Sequence, residues 1–391
     1  MSKKSIQRQN PDACPLASKC GGCGLQNMTY DRQLEYKQAK EVKLLAQYGR
    51  IEKIIGMDDP YHYRNKVQAA FGLTRGNKII SGVYQSSSHR IVNVNSCMLE
   101  NEHADRIIVF IRSILPEFRI LPYNEDTGKG FLRHVLVKRS ESTNQTMVVF
   151  VGANPIFPQK NNITKRLVAE FPDIVTVIFN VNPHKTSMVL AEKEEILYGK
   201  GYIEDILCGC RFRISAKSFY QINSGGTEIL YNTAISLAAP TKDETLIDAY
   251  CGTGTIGIVA SKTAGHVIGV ELNPDAVRDA KTNAEINNAT NTVFFCGDAG
   301  KFMREVASDG QKADTVIMDP PRAGSSKEFI DSLGVMLPKK IVYISCNPET
   351  LARDLHYIVK KGYKVKKIVP VDMFPHTSHV ETVVLMSRDK E

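Results

Sequence analysis

The stretch DAYCGTGT, residues Asp248–Thr255, decides the fold of the second half of the chain. It ends a predicted strand and opens a predicted helix, and glycines such as Gly252 and Gly254 at this turn let the backbone approach a ligand closely. The pattern is shorter than the glycine-rich motif of dinucleotide-binding domains, so taken alone it also suits an ordinary tight turn. The residues around it decide between the two.

Strands and helices alternate around this turn, from about Thr227 to the end of the chain. Short buried runs rich in β-branched residues are typical of parallel strands, and stretches with helical spacing separate them. This alternation predicts an α/β domain with a doubly wound, Rossmann-like sheet of seven strands. The predicted strands are Thr245–Asp248, His266–Glu271, Thr292–Cys296, Thr315–Met318, Lys340–Ser345, Tyr363–Val371 and Val380–Met386.

Acidic residues follow the next two predicted strands at the same edge of the sheet. Glu271 ends the second strand, where a carboxylate can accept hydrogen bonds from ribose hydroxyls. Asp298 follows the third strand, where a carboxylate suits an adenine amino group. Each alone is more simply a helix-capping residue, but in this order, after the glycine turn, they predict a nucleoside cofactor. Their spacing resembles that of class I methyltransferases, whose cofactor is S-adenosylmethionine.

The fourth predicted strand leads into Asp319-Pro320-Pro321-Arg322, a rigid turn that presents a carboxylate to the predicted pocket. Methyltransferases that act on amino groups carry a related motif that ends in an aromatic residue, which stacks on the target base. Arg322 takes that place here, which argues against amino-group methylation.

Cys346 follows the fifth predicted strand and is a candidate nucleophile. Its thiol is expected over the pocket and close to a helix N-terminus, which can lower a thiol pKa. A buried structural cysteine is the alternative, and position alone does not separate the two. Chemistry does, because a thiolate that adds to C6 of uracil makes C5 nucleophilic enough to accept a methyl group.

Glu381 is the candidate for the base that must then remove the C5 proton. It opens an apolar strand, so we expect its carboxyl group to be partly desolvated and its proton affinity to be raised. His376 and His379 are its rivals, although packing or RNA binding suits them better.

The first half of the chain has a different pattern. Leu34, Val42 and Leu45 recur at helical spacing between about Tyr30 and Tyr48, which predicts an amphipathic helix with Ala39 and Ala46 on the same face. Short alternating runs between about residues 60 and 210 predict a mostly antiparallel sheet with helices near Ala104–Ile114 and Ile163–Ala169.

Four cysteines form a candidate metal site, with Cys14, Cys20 and Cys23 close together and Cys97 distant. Four thiolates suit Zn²⁺ or a 4Fe–4S cluster. Zinc sites usually pair two short cysteine hooks, whereas here the fourth ligand stands alone. The spacing also differs from the three-cysteine motif of radical S-adenosylmethionine enzymes. Cys208-Gly209-Cys210 is too tight to be a hook and is interpreted as structural.

The bulk properties are those of a globular protein with a polyanionic partner. The chain has 391 residues, 24% charged and 42% hydrophobic, with a formal net charge of +8. A basic surface neutralises phosphates, so nucleic acid is the expected partner. No apolar run approaches the length of a membrane span and no secretory signal is recognisable, so we expect a cytoplasmic protein without a membrane partner.

These motifs together resemble the RNA uridine C5-methyltransferase family, in particular its iron–sulfur branch that acts on 23S rRNA. The resemblance runs from CPLASKCGGC at Cys14–Cys23 to HVETV at His379–Val383, and it includes YRNKV at Tyr63–Val67 and SFYQIN at Ser218–Asn223. It implies an S-adenosylmethionine-dependent enzyme, EC 2.1.1.-, that methylates C5 of a uridine through a covalent bond between cysteine and C6.

The resemblance assigns roles to individual residues. It implies that Cys346 is the nucleophile and Glu381 the base. It implies a 4Fe–4S cluster on Cys14, Cys20, Cys23 and Cys97. The implied S-adenosylmethionine contacts are Gln221, Tyr250, Glu271 and Asp319, with Thr255 and Asp298 as weaker candidates.

We therefore expect four segments. Residues 1–25 form a tail and iron–sulfur loop, residues 26–57 carry a helix that packs on the catalytic domain, residues 58–215 form a mostly antiparallel RNA-binding domain, and residues 216–391 form the Rossmann-like methyltransferase domain. Many iron–sulfur members begin with a small RNA-binding β-barrel, of the TRAM type, and only 13 residues precede Cys14 here, so we expect this barrel to be lacking. Separately, we expect a monomer. The alternatives are a tRNA uridine C5-methyltransferase and a non-catalytic iron–sulfur RNA-binding protein on a methyltransferase fold.

Overall fold

A computed structural model describes residues 13–85, 88–184 and 188–388. The described residues form ten helices and sixteen strands. The helices are Ala17–Cys20 (α1), Tyr30–Leu45 (α2), Glu102–Ile114 (α3), Lys160–Glu170 (α4), Ser224–Ala238 (α5), Thr255–Ala260 (α6), Pro274–Ile286 (α7), Ala299–Ser308 (α8), Lys327–Met336 (α9) and Pro348–Val359 (α10). The strands are Lys66–Leu73 (β1), Ile79–Tyr84 (β2), Ile91–Asn93 (β3), Leu132–Ser140 (β4), Gln145–Gly152 (β5), Ile174–Val181 (β6), Glu194–Gly199 (β7), Tyr202–Leu207 (β8), Cys210–Ser215 (β9), Thr245–Ala249 (β10), His266–Glu271 (β11), Thr292–Cys296 (β12), Thr315–Met318 (β13), Lys340–Ser345 (β14), Lys364–Val371 (β15) and Glu381–Ser387 (β16).

These elements form two compact units, each built from separate stretches of chain. The first consists of residues up to Asn27 with Asp59–Ile206 and Arg213–Lys217, and the second of Met28–Asp58, Leu207–Phe212 and Ser218–Glu391. The hairpin of β8 and β9 contributes to both.

The first unit is built on a seven-stranded sheet in the order β3-β2-β1-β4-β5-β6-β7. Only β5 and β6 pair in parallel, in agreement with the expected mostly antiparallel sheet. Helices α3 and α4 pack on it, and apolar residues such as Ile107, Ile111 and Ile163 join its core. Helix α3 begins where the Asn101 side chain accepts hydrogen bonds from the amides of His103 and Ala104.

The second unit has the predicted doubly wound sheet, in the order β12-β11-β10-β13-β14-β16-β15. The first five strands are parallel, and β16 runs antiparallel to both of its neighbours. Alternate residues face opposite sides, so Ile317 joins one apolar core while Val316 and Met318 join the other. Strand order reverses between β10 and β13, the switch point where open α/β sheets bind ligands.

Helix α2 belongs to the second unit and buries an unexpected face. The sequence predicted an apolar stripe through Leu34 and Val42, but Val42 is 44% exposed. The buried residues are Leu45 and, one turn apart before it, three polar ones: Gln33, Lys37 and Glu41. The predicted face is confirmed at Leu45 and wrong at Val42, because most of the buried face packs against polar groups.

Within the described chain, none of the helices has both the length and the apolar character needed to cross a membrane.

Candidate active site

The glycine turn after β10 adopts backbone conformations that few residues tolerate. Tyr250, Gly252 and Gly254 have φ of 65°, 53° and 80°. A Cβ at Gly254 would also lie 2.9 Å from the Phe294 ring, so this position requires glycine. Strain at a non-glycine residue such as Tyr250 is typical of functional sites. Beneath the turn, buried Asp248 accepts a hydrogen bond of 2.8 Å from the Gly257 amide.

Glu271 lies at the end of β11, next to this turn. One carboxylate oxygen accepts from the amide of Gly252 at 3.1 Å, and the other accepts from the amide of Asn273 at 2.8 Å. The residue is only partly buried, so each oxygen keeps a lone pair for a further donor. This geometry fits the predicted contact with ribose hydroxyls.

Asp298 lies near Tyr250, where burial raises the pKa of the phenol and the Asp298 carboxylate adds to the rise. The Asp298 carboxylate accepts from the Lys301 amide at 3.0 Å and thereby caps α8, as the simpler interpretation of this residue expected. The hydroxyl of Tyr250 is 3.1 Å from that of Ser325, and its ring lies 5.4 Å from that of Phe329. These contacts hold Tyr250 in its strained conformation.

Gln221 and Thr255, distant in sequence, meet at Tyr231. The buried Tyr231 hydroxyl is 3.3 Å from the Thr255 hydroxyl and is hydrogen-bonded to the Gln221 side chain. Burial raises the pKa of Tyr231, and the carboxylate of Asp319 adds to the rise. The predicted cofactor contacts after β10, β11 and β13 therefore lie around one edge of the sheet.

Asp319 is the electrostatic centre of this edge. Burial raises its pKa to about 7. Besides that of Tyr231, its charge raises the pKa values of Asp248, Cys346 and Glu381. A carboxyl group poised near neutral pH between the predicted cofactor contacts and Cys346 is typical of a functional site.

Cys346 follows β14 directly, and Asn347 after it caps α10 by accepting from the Glu349 amide. The expected lowering of its thiol pKa by the helix N-terminus is wrong for this state. Burial, followed by the carboxyl groups of Glu381 and Asp319, raises the pKa of Cys346 to about 11 in spite of the lowering by Arg322. The local carboxyl groups and burial outweigh the helix terminus.

Glu381 lies opposite Cys346 across a strand pair. Ser345 of β14 pairs with Thr382 of β16 in antiparallel register, so the next residue of one strand faces the preceding residue of the other. Glu381 is only 4% exposed. Burial and Asp319 raise its pKa well above the usual value, which confirms the expected desolvation and raised proton affinity.

A cavity of about 250 Å³ opens beside Cys346. Its volume is roughly that of eight water molecules in the liquid, which is enough for a single-ring base. Arg322 and His379 line it and lie 2.7 Å apart between ring nitrogen and guanidinium. Lys40 of α2 also lines it, a residue that sequence reasoning missed because no local motif marks it. The other lining residues are Asn347, Pro348, Glu349, Ser378 and Val380.

His376, the second rival base, does not line this cavity. It is fully buried and bonded to Gln33 of α2. Burial and the charge of Lys37 lower its pKa to about 4, so the ring is neutral near pH 7. His376 is therefore a packing residue, which joins the connection between β15 and β16 to α2.

The candidate cluster cysteines lie in the first unit, and all four are free thiols. Burial raises the pKa of Cys23, and the neighbouring thiols of Cys20 and Cys14 contribute to the rise. Burial raises the pKa of Cys97 to about 12, with Glu100 contributing.

Arg64 connects the two parts of this set. Its charge interacts with both Cys23 and Glu100, and its amide donates to the Leu99 carbonyl at 2.8 Å. Across residues 13–85, 88–184 and 188–388, no three His, Cys, Asp or Glu side chains are arranged to bind one metal ion. Cys14, Cys20 and Cys23 are neighbours, and Arg64 lies between Cys23 and Glu100, which is itself near Cys97.

Comparison with known proteins gives the family. The profile described as tRNA (uracil-5-)-methyltransferase matches residues 184–389. An uncharacterized RNA methyltransferase of Listeria monocytogenes is 41% identical over 386 residues, covering 98% of this chain and 84% of that protein. One from Clostridium acetobutylicum is 42% identical over 393 residues, 99% of this chain and 85% of that protein.

A solved structure also matches over most of the chain. The Pyrococcus abyssi tRNA (uracil-54, C5)-methyltransferase, in complex with S-adenosyl-L-homocysteine, has a TM-score of 0.79 and 30% identity, covering 93% of this chain and 85% of that one. S-adenosylhomocysteine is what remains of S-adenosylmethionine once the methyl group has left. The chain is an RNA methyltransferase and belongs to the S-adenosylmethionine-dependent tRNA (uracil-5-)-methyltransferase family.

Proposed function

We propose that this enzyme methylates C5 of a uridine in 23S rRNA, with Cys346 as nucleophile and Glu381 as base. The observation that carries the proposal is the pairing of β14 with β16, which sets Cys346 opposite Glu381 beside a cavity large enough for a base. A protein that only binds RNA has no need for a thiol and a desolvated carboxyl group in this arrangement.

Each bond change has a residue to serve it. The Cys346 thiolate adds to C6 of uracil, and the electron pair of the C5–C6 double bond makes C5 a nucleophile. S-adenosylmethionine supplies the methyl group that C5 accepts. Glu381 then takes the C5 proton, the double bond re-forms, and the thiolate leaves C6. A raised pKa suits Glu381 to this step, because it makes the carboxylate a stronger base.

The thiol must first lose its proton, which the RNA-free site opposes. Arg322 is the group that favours the thiolate, and it is exposed at the cavity. A uracil ring in the cavity brings its own carbonyl groups, and hydrogen bonds from Arg322 to them favour addition at C6. The thiol proton passes to water at the open cavity, where Cys346 is half-exposed, so deprotonation is coupled to substrate binding.

The S-adenosylmethionine contacts are proposed at the residues around the glycine turn. Glu271 holds the ribose hydroxyls, while Gln221, Tyr250 and Asp319 contact the rest of the molecule. The space beside Gly252, where an added Cβ meets nothing within 4 Å, supports a ligand at this edge. Thr255 and Asp298 are weaker candidates, because Thr255 is turned to Tyr231 and Asp298 caps a helix.

The proposed ligands of a 4Fe–4S cluster are Cys14, Cys20, Cys23 and Cys97. Each cysteine binds a different iron atom of such a cluster, so the sulfurs need not converge on one point, whereas the ligands of one zinc ion must. The proximity of Cys14, Cys20 and Cys23 supports a shared site for these three, and the preference for a cluster over zinc rests on the lone fourth cysteine in the sequence pattern. No step of the reaction needs it, so its proposed role is to fold the loop. Anaerobic purification should give a brown protein with about four irons; a colourless zinc protein would contradict the proposal.

The decisive experiment uses RNA that contains 5-fluorouridine. Fluorine cannot leave C5 as a proton does, so the enzyme and S-adenosylmethionine should form a lasting covalent complex with this RNA. Cys346→Ala should abolish the complex, and Cys208→Ala, outside the site, should not. A complex that persists in Cys346→Ala would refute the nucleophile, and RNA binding without any methylation would favour the non-catalytic alternative. Methylation of 23S rRNA and tRNA transcripts in parallel identifies the substrate, and tRNA alone as acceptor would refute the rRNA assignment.

A further inference from the structure

The buried face of α2 is polar along three successive turns. Gln33, Lys37 and Glu41 follow one another at intervals of four residues, and each side chain is fully buried. A helix face in the interior is usually apolar, since each buried polar group requires a partner. Three buried polar residues on successive turns of one helix face therefore need an explanation.

All three bind one segment of the chain, Asp372–Thr382. The Gln33 side chain accepts from the His376 amide at 2.7 Å, and its nitrogen lies 3.1 Å from the His376 ring. Lys37 donates to the Asp372 carboxylate at 2.6 Å and to the Phe374 carbonyl at 3.0 Å. Glu41 accepts from the Thr382 hydroxyl at 2.9 Å.

This segment connects β15 to β16 and ends at the proposed base. Ser378, His379 and Val380 line the cavity beside Cys346, and Glu381 follows them. Within it His376 has φ of 66°, a conformation that a non-glycine residue keeps only when its surroundings hold it. The α2 contacts at the start, middle and end of the segment supply that support.

Stability alone does not explain the Lys37–Asp372 pair. Burial lowers the pKa of Lys37 and raises that of Asp372, so the loss of water works against both charges. Buried ion pairs of this kind are often no more stable than well-packed apolar residues, and fixing one geometry is a role that suits them. One oxygen of buried Glu41 has no hydrogen-bond partner among the residues that the structure describes, a further cost without a structural return.

Glu41 also acts on the proposed base, Glu381, through its charge. Its Thr382 partner is the neighbour of Glu381, and its charge acts with Asp319 to raise the pKa of Glu381, against Arg322. Burial raises the pKa of Glu41 itself to about 7, with Lys40 and Glu349 as the other nearby charges.

We propose that Gln33, Lys37 and Glu41 are positioning residues, which fix the segment Asp372–Thr382 so that the Glu381 carboxyl group stays opposite Cys346. The inference rests on the proposed role of Glu381 as base. Cys346 lies outside the segment, after β14, so addition to C6 does not depend on the segment in the same way. Loss of the positioning face should slow removal of the C5 proton more than it slows formation of the adduct.

The test compares two buried and two exposed substitutions on the same helix. Lys37→Met and Glu41→Gln remove the buried groups, and Lys43→Met and Glu35→Gln make the same changes on the exposed face. Glu41→Gln keeps an oxygen that can accept from Thr382, so it tests the charge with little loss of packing. Thermal unfolding and S-adenosylmethionine affinity, measured for each variant, show that the fold and the cofactor site are intact.

Single-turnover reactions with RNA tritiated at uridine C5 separate the two steps. Protein-linked RNA on denaturing gels reports the adduct, and tritium in the water reports proton removal. For Lys37→Met we expect at least a tenfold slower tritium release with accumulated protein-linked RNA. A smaller slowing is expected for Glu41→Gln, and rates within twofold of wild type for the exposed controls.

Glu381→Gln, measured in parallel, distinguishes failure of the proposed base from failure of the positioning role. If it does not accumulate protein-linked RNA, Glu381 is not the base, and the positioning role is refuted with it. If Glu381→Gln accumulates the adduct, its role as base stands. The positioning role alone is then refuted if Lys37→Met behaves like Lys43→Met, or if Lys37→Met slows both steps by the same factor.

Discussion

Titration of the Cys346 thiol in the RNA-free protein is the most direct test of the electrostatic reasoning. The burial and carboxyl groups that raise its pKa from 9.0 to about 11 reduce the thiolate fraction. Near pH 8 that fraction is about 100-fold smaller than for an ordinary thiol, since each pKa unit is a factor of ten. Alkylation by iodoacetamide, which consumes the thiolate, should therefore rise about tenfold per pH unit from pH 7 to 9 without a plateau.

Two substitutions should move this rate in opposite directions. Arg322 is the group that lowers the pKa of Cys346, so Arg322→Met should slow alkylation. Asp319 raises it, so Asp319→Asn should speed alkylation. The pKa of Asp319 is about 7, and its carboxyl group is charged above that pH, so the effect of Asp319→Asn should grow as the pH rises past 7.

Mass spectrometry of tryptic peptides gives the alkylation rate of each cysteine separately. Exposed Cys296 in the same sample is the internal standard for the amount of active iodoacetamide at each pH. A plateau of the Cys346 rate by pH 8 would refute the reasoning, because it would mean that the thiolate is already formed without RNA.

Three further predictions concern the fold and the cofactor edge. Leu45→Ala should lower the free energy of unfolding by about 2–5 kcal/mol and Val42→Ala by less than about 0.5 kcal/mol, in urea denaturation, because only Leu45 is buried; similar losses would contradict the observed orientation of α2. Gly254→Ala should lower the melting temperature, because it adds strain at φ of 80° and a contact of 2.9 Å with Phe294; an unchanged melting temperature would exclude that geometry. Glu271→Ala should weaken S-adenosylmethionine binding about tenfold or more in calorimetry, for the loss of charge-assisted hydrogen bonds, and unchanged affinity would remove Glu271 from the site.

The α/β half of the molecule was predictable because its central strands β10, β13 and β14 are buried on both faces. Runs such as Ile341–Ile344 are continuous apolar stretches, and the predicted strands agree with the observed ones to within one residue at each end. Their ends then place Glu271 and Cys346 at one edge of the sheet, since parallel strands share an orientation.

Other features depend on contacts that no local pattern records. Most of the buried face of α2 was predicted wrongly because helical periodicity assumes an apolar partner, whereas Lys37 meets Asp372, 335 residues away. The direction of the Cys346 pKa shift was also missed, because position at a helix terminus is visible in sequence and the carboxyl groups of Glu381 and Asp319 around the thiol are not.

The partners of α2 also set the order in which the enzyme can be completed during its synthesis. The bonds of Lys37 and Gln33 join residues 335 and 343 positions apart. A ribosome adds about 5–20 residues per second, so roughly 20–70 seconds pass between the synthesis of α2 and the synthesis of the residues that it binds. Until then its polar face can remain in water, where an apolar face would be prone to aggregate. A fragment that begins at Ser218 would lack α2, and with it the hydrogen bonds that fix the segment Asp372–Thr382.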